Sequence, residues 1–354
     1  MKAAVLYEIN KPLVVDEIDI DDVGPGQVMV KTIASGLCRS DLHRMEGRTP
    51  TEVPAVIGHE AAGIVEQVGE GVTYVQPGDH VVTTFVRFCG TCRYCQTGRP
   101  FLCAHGRGTA QVLRKDSQRL TGYGGSCFAE RLLVPERGVV KVREDAPLDK
   151  LSILGCAVAT GVGAVLNTAR VEAGSSVAII GLGGVGLNVV QGAALASAYP
   201  IIAIDVLDHK LEMAKQFGAT HLVNAGKEDP VEAVRALTDG GADYAFEVVG
   251  RPESVTQAFD MVAPGGEAIM LGVSPPGSKA SIDIWQLHLT GKVLRGCLYG
   301  SIRQRVDIPR YVDLYMAGHL KLDELISRTY PLEDINEAFA ALKAGEVARS
   351  IIVF

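Results

Sequence analysis

The glycine run GLGGVG at Gly181–Gly186 constrains this chain more than any other stretch. It directly follows the apolar run Val177–Ile180, and a helix-like segment continues from it over about Val185–Ala198. In a strand–turn–helix unit the three spaced glycines have separate tasks. Gly181 makes the tight turn, Gly183 lets a pyrophosphate approach the backbone, and Gly186 lets helix and strand pack closely. Gly184 and Val185 open the helix, whose N-terminal amides then face the phosphates. Asp205 closes the next strand-like run nineteen residues after Gly186. Its carboxylate can accept from both hydroxyls of an adenosine ribose and would repel a 2′-phosphate, so the pattern favours NAD over NADP. A lone glycine motif is weak, and a plain turn followed by a helix-opening Asp would also fit these residues. The plain turn does not explain the neighbours. Lys210 reads equally well as a ribose contact or an exposed helix lysine.

Those neighbours alternate strand and helix. Further strand-like runs lie at Ile201–Ile204, His221–Val223, Tyr244–Val248, Glu267–Leu271 and Val293–Cys297, with helix-like Asp208–Phe217, Val231–Thr238 and Ser254–Val262 between. This is the signature of βαβ units in a doubly wound, six-stranded parallel sheet. At 354 residues the chain is too long for one core, and two domains are expected. Residues 1–157 differ in style. Ala3–Tyr7, Leu13–Ile18, Val28–Ala34, Ala62–Val68, His80–Thr84, Phe128–Val134 and Val139–Val142 read as short strands between Gly- and Pro-rich turns, as in a small antiparallel barrel or sandwich. Residues 104–125 read as a long surface loop, and Lys150–Gly155 and Thr160–Thr168 as helices. After about 300 the alternation stops: Arg310–Ala317 and Ile335–Ala344 look helical and Arg349–Phe354 is a strand. The expected division is therefore 158–299 for the nucleotide domain and 1–157 for the first domain, completed by 300–354.

Cysteine usage points to metal. Four of the eight cysteines, Cys89, Cys92, Cys95 and Cys103, have the spacing C-x2-C-x2-C-x7-C. Four thiolates close a tetrahedron and leave no open position, which defines a structural zinc. Disulfides and an iron–sulfur cluster are the competing readings. The N-terminus carries no secretory pattern, which favours metal over disulfides and makes the cytoplasm the default location. His105, close by, reads as a bystander. Net charge is −7, which argues against a nucleic-acid partner, and no run of about twenty apolar residues suggests a membrane span.

A second metal signal is GLCRSDLH at Gly36–His43 with GHE at Gly58–Glu60. Cys38 and His59 are two ligand types suited to zinc, and Ser40, Asp41, His43 and Glu60 are polar groups able to orient a ligand or carry a proton. A catalytic zinc needs a third protein ligand and an open position. Cys156, in LGCAVATGVG before the nucleotide domain, is the best candidate, with Cys127 and Cys297 as rivals. Spacing alone does not separate Cys156 from an ordinary buried cysteine. Cys297 reads as a core residue of an apolar strand, and Cys127 as structural.

With these motifs in place, together with CGTCRYC and the terminal ARSIIVF, the chain resembles the zinc-dependent medium-chain alcohol dehydrogenases along nearly its whole length. The resemblance implies a GroES-like, mainly β catalytic domain interrupted by the Rossmann domain, with two zinc ions and NAD. It implies Cys156 as the third catalytic-zinc ligand, Glu60 behind the metal and Asp41 bracing His59. It implies that Ser40 touches the substrate hydroxyl and passes a proton through the cofactor ribose to His43. Arg39 and Arg349 match pyrophosphate-binding arginines, Thr160 a position near the nicotinamide, and Lys210 a ribose contact. Phe85 and Phe128 fall at substrate-pocket positions, and with Trp285 they suggest an apolar pocket for medium-chain or aromatic primary alcohols. Arg107 matches an anion-binding position of the glutathione-dependent formaldehyde dehydrogenases, although those enzymes usually lack a His at the position of His43. An exposed loop arginine is the preferred reading there. A catalytically silent relative is a further alternative. The 104–125 segment resembles the dimeric branch, so a homo-oligomer, with a dimer favoured, is expected.

Overall fold

The computed structural model describes residues 1–106 and 113–354. The chain separates into two compact units, Met1–Ala159 with Ile302–Phe354, and Thr160–Ser301.

The first unit is built on two β-sheets. Its seven-stranded sheet centres on Gln27–Gly36, flanked by Ala61–Val68 on one side and by the C-terminal strand Arg349–Val353 on the other. Apolar residues on both faces of Gln27–Gly36 are buried because the strand is covered on two sides. One core gathers Val28, Val30, Ala61, Val65, Val81 and Leu132, and another Leu6, Leu37, Leu42, Ile57, Phe339 and Ile352. Each Val, Leu, Ile or Phe among them contributes about 1.5–3 kcal/mol of burial free energy. The register of the last strand matters for the site: Ile351 pairs with Gly36, which sets Arg349 just beyond the end of the central strand.

Three expectations are corrected here. Within 104–125 the structure shows a hairpin, Leu113–Lys115 with Gln118–Gly122. Its two-residue turn, Asp116-Ser117, has positive φ at both positions, a tight hairpin geometry that Asp tolerates well. The helix expected over Lys150–Gly155 is a short α-turn, Leu148–Leu151, followed by a 3-10 turn, Ser152–Gly155. The helix expected from Arg310 begins at Gln304 and passes through Pro309, whose missing N–H costs one helical bond without ending the element.

The second unit is a six-stranded, all-parallel sheet in the order His221–Asn224, Ile201–Asp205, Val177–Ile180, Ala242–Glu247, Val262–Met270, Val293–Gly296. The order reverses next to Val177–Ile180, and such a switch point is where doubly wound sheets hold ligands. The last strand is an exposed edge, not the buried strand its apolar residues suggest. Thr160–Thr168 is helical, but as the end of Ala157–Gly163 and a π-turn over Ala164–Ala169. A helix at Ile284–Thr290, unforeseen, starts at an Asp283 cap accepting from Trp285 and Gln286 amides and ends at Gly291 in the left-handed region. Among the described residues no single helix is long and apolar enough to cross a membrane.

Candidate functional site

In the first unit, Gly36 ends the central strand and Cys38 caps the helix Arg39–Met45. The Gly36 amide donates to the Glu60 carbonyl at 2.9 Å, which brings the His59–Glu60 segment beside Cys38. Cys156 sits at the break between the 3-10 turn and the helix Ala157–Gly163. The ligand atoms of Cys38, His59, Glu60 and Cys156 lie within 4.8 Å of one another, and all four residues belong to the first unit. Cys127 and Cys297, the rival ligands, are elsewhere. Cys127 is fully buried in a core cluster, 3.8 Å from Thr83 Oγ1, and burial pushes its thiol well up. Cys297 is half-buried beside Thr168 in the second unit.

The surroundings orient this set. His59 Nδ1 faces Asp41 Oδ1 at 3.0 Å, a contact that holds a proton on Nδ1 and turns Nε2 toward the other ligand atoms. Asp41 is itself buried and its other oxygen accepts from the Cys38 amide at 3.3 Å. The Ser40 hydroxyl donates to Cys38 Sγ at 3.2 Å and lies 3.4 Å from His59 Nε2. Phe85 presents its ring edge-on to the imidazole, centroids 5.5 Å apart. The two thiols are asymmetric. The hydrogen bond with Cys156 holds Cys38 well below the usual thiol range, whereas the same bond pushes Cys156 well up. Burial works to lower His59, but the Asp41 and Cys38 charges leave it raised. A divalent cation bound here would take both sulfurs as thiolates and release the thiol proton.

Glu60 supplies the test of fit. Burial works to raise the Glu60 carboxyl, while the Arg349 guanidinium against it favours the charged form. Glu60 Oε2 accepts from the Arg349 guanidinium, while Oε1, 3.9 Å from His59 Nε2, is buried with no hydrogen-bond partner among the described residues. A buried carboxylate oxygen left open toward two thiols and an imidazole is what a cation site requires. Two sulfurs and one imidazole nitrogen suit zinc. Arg349, expected at a pyrophosphate, is 3% exposed, and its guanidinium engages Glu60.

The four-cysteine loop is equally definite. Sγ–Sγ separations are 3.6 Å for Cys92–Cys95 and 3.9 Å for Cys89–Cys95 and Cys92–Cys103. Zinc bonds of about 2.3 Å imply tetrahedral edges of about 3.8 Å, so the sulfurs stand as they would around one ion. All four cysteines are free, which removes the disulfide reading. The Thr91 hydroxyl and the amides of Thr91 and Cys92 donate to Cys89 and bring its thiol down to about 5, while burial pushes Cys95 up to about 12. His105 is not among the grouped ligands.

In the second unit the glycines divide their work as the motif implies. Gly181 has φ +96°, a Cβ on Gly183 would meet nothing within 4 Å, and one on Gly186 would stand 1.8 Å from the Gly181 carbonyl. The open face at Gly183 leaves room for a phosphate. Asp205 Oδ2 accepts from Leu182 of the turn at 2.8 Å, which fixes the carboxylate beside it. Gly184 and Val185 open the helix Gly184–Leu195, and Lys210 lies in the helix Asp208–Gln216. Thr160 lies in the same unit, half-buried. Arg39 is exposed at the start of its helix in the first unit, and His43 is half-buried one turn beyond Ser40.

Phe128 is fully buried, edge-on to Phe339 at 5.7 Å, within a core cluster. Trp285 is 69% exposed on the helix Ile284–Thr290. Arg107 lies outside the described residues. The element missed from sequence is the Glu60–Arg349 pair, for which no local pattern exists.

The chain matches the alcohol dehydrogenase GroES-like domain over residues 24–144 and the zinc-binding dehydrogenase domain over 184–316. It is 40% identical to S-(hydroxymethyl)glutathione dehydrogenase of Paracoccus denitrificans, covering 100% of this chain and 99% of that one. Among solved structures it is similar to an alcohol dehydrogenase zinc-binding domain protein from Burkholderia ambifaria, with TM-score 0.95, 36% identity and coverage of 100% and 98%. It is also similar to benzyl alcohol dehydrogenase from Acinetobacter calcoaceticus, with TM-score 0.94, 34% identity and coverage of 100% and 99%. Fold and site thus define a zinc- and nicotinamide-dependent oxidoreductase. The chain belongs to the zinc-dependent medium-chain alcohol dehydrogenase family.

Proposed function

We propose that the protein catalyses the reversible, NAD-linked oxidation of primary alcohols to aldehydes, with aromatic and medium-chain alcohols as the favoured substrates. The observation that carries this reading is the Ser40 hydroxyl, poised against both Cys38 Sγ and His59 Nε2 beside the Phe85 ring. Cys38, His59 and Cys156 would hold the catalytic zinc with Glu60 behind it, and Cys89, Cys92, Cys95 and Cys103 the structural one. When bound, the catalytic zinc polarises the substrate oxygen and NAD takes up the hydride. Ser40 accepts the hydroxyl proton, and His43, three residues on along one helix face, delivers it to solvent. Asp41 fixes the His59 ring, and Phe85 forms an apolar wall beside it. Gly181, Gly183, Gly184, Val185 and Gly186 cradle the pyrophosphate, Asp205 and Lys210 hold the ribose, Thr160 lies by the nicotinamide and Arg39 adds a phosphate contact.

Purified protein should carry about two zinc ions per chain and reduce NAD with a panel of primary alcohols. Cys156→Ala should lose turnover while still binding NADH, and full activity in that variant would sink the three-ligand assignment. NADH binding without turnover on any alcohol would mark a silent relative instead.

A second reading, oxidation of the glutathione–formaldehyde adduct, is favoured by the name of the Paracoccus relative. It predicts strong stimulation of formaldehyde oxidation by glutathione, lost in Arg107→Ala. A homodimer completes the proposal, supported by the exposed apolar residues Val273, Ile284, Trp285 and Leu289 on the second unit.

A further inference from the structure

From His80 to Lys115 the sequence has no Asp or Glu, yet it carries Arg87, Arg93, Arg99, Arg107, Arg114 and Lys115 in a chain of net charge −7. A cavity of about 390 Å³ opens beside this run, walled in part by Arg87, Phe88, Cys89, His105, Glu136 and Arg137. Arg305 backs the same wall. Its guanidinium lies 3.5 Å over the Tyr74 ring and 5.3 Å from that of Phe88, and donates to the Glu136 carbonyl at 2.7 Å. Its Nε is buried with no hydrogen-bond partner among the described residues. The one carboxylate of the wall is already engaged: Glu136 Oε1 accepts from the Thr73 and Tyr74 amides at 2.7 and 2.6 Å. Arg137 and His105 make no hydrogen bond or ion pair among the described residues.

Four thiolates around one Zn²⁺ leave two negative charges in excess. The exposed Arg137 guanidinium and His105 imidazole stand in the wall of the open cavity. We propose that this cavity is a binding site for a small molecule bearing a phosphate or diphosphate group, separate from the cofactor and substrate sites. Guanidinium forks grip phosphate oxygens two at a time, and the volume falls within the ordinary range of small-ligand pockets, about 300–1,000 Å³. Occupancy joins the cysteine loop, through Cys89 and His105, to the turn at Glu136–Gly138, and so couples the ligand to retention of the structural zinc.

The zinc-loaded protein, saturated with NADH so that the phosphate cradle at Gly181–Gly186 is filled, is titrated calorimetrically with inorganic pyrophosphate. Inorganic phosphate and acetate at matched ionic strength form the other arms. The expected result is saturable pyrophosphate binding, weaker phosphate binding and none for acetate. Binding weakens about tenfold in Arg137→Ala and in His105→Ala, the loss expected for one charge-assisted contact. Zinc content and NADH affinity stay unchanged in both variants. Absence of saturable pyrophosphate binding, equal response to acetate, or unaltered binding in both variants overturns the proposal.

Discussion

Glu60 and Arg349 form a fully buried ion pair whose worth lies in completeness. Desolvating two charges costs nearly what their attraction returns, but removing one partner strands the other. Arg349→Met should therefore destabilise the protein by about 3–5 kcal/mol, and Glu60→Gln in the same chain should restore most of it. Urea unfolding of the single and double variants checks this, and an Arg349→Met protein as stable as wild type would show that Glu60 is not charged there. His43 offers a pH test. Burial lowers its pKa below the usual 6.5, and Arg48 and Arg39 lower it further. It is then neutral and able to accept a proton at pH 7, and the acid limb of kcat/KM should fall below pH 6.5. His43→Gln should remove that limb and slow turnover roughly a hundredfold or more. Because the unfolded chain binds the proton more tightly, the wild-type fold also loses stability as pH falls below 6.5, a slope the variant lacks. Cys38 and His59 were legible in sequence because ligand type and polar neighbours cluster locally. The contact between Arg349 and Glu60 was not legible because the two are 289 residues apart, and only the pairing of the last strand brings them together.

At the scale of elements, the glycine-rich turn is the most tightly specified piece. Gly186→Ala places a methyl 1.8 Å from the Gly181 carbonyl, a clash between backbone elements that no rotamer relieves. NADH affinity should fall at least about tenfold and stability by about 1–3 kcal/mol, while bound zinc stays at about two per chain. Retained NADH affinity would show that the turn does not carry the cofactor. The parallel sheet was readable because apolar runs and helical segments alternate with regular spacing. The Leu113–Gly122 hairpin was not, since its strands are short and its Asp116-Ser117 turn lacks the glycine that usually signals one. The helix Ile284–Thr290 carries only end signals, a capping Asp283 and a terminating Gly291. Its apolar residues point outward, so it has no amphipathic pattern to read.

For the molecule as a whole, sequence spacing distinguished a mainly β unit from a parallel α/β unit, but it does not separate the apolar residues of a core from those of a surface. Trp285 illustrates the difficulty: assigned to a substrate pocket, it stands 69% exposed, near Ile284 at 79% and Leu289 at 60%. The neighbouring edge strand Val293–Gly296 leaves Leu294 41% exposed and offers unpaired backbone groups. An exposed apolar helix beside an open sheet edge is a surface that monomers seldom tolerate, because water is excluded from it by any matching partner. In the proposed homodimer a second copy of the same chain would supply such a partner, and a two-fold arrangement would close the assembly. Replacing Ile284 and Trp285 together by Glu puts two charges into that contact. The double variant should sediment as a monomer where the wild type sediments as a dimer, with NADH binding retained as proof that the second unit is still folded. If it sediments like the wild type, the contact lies on another face.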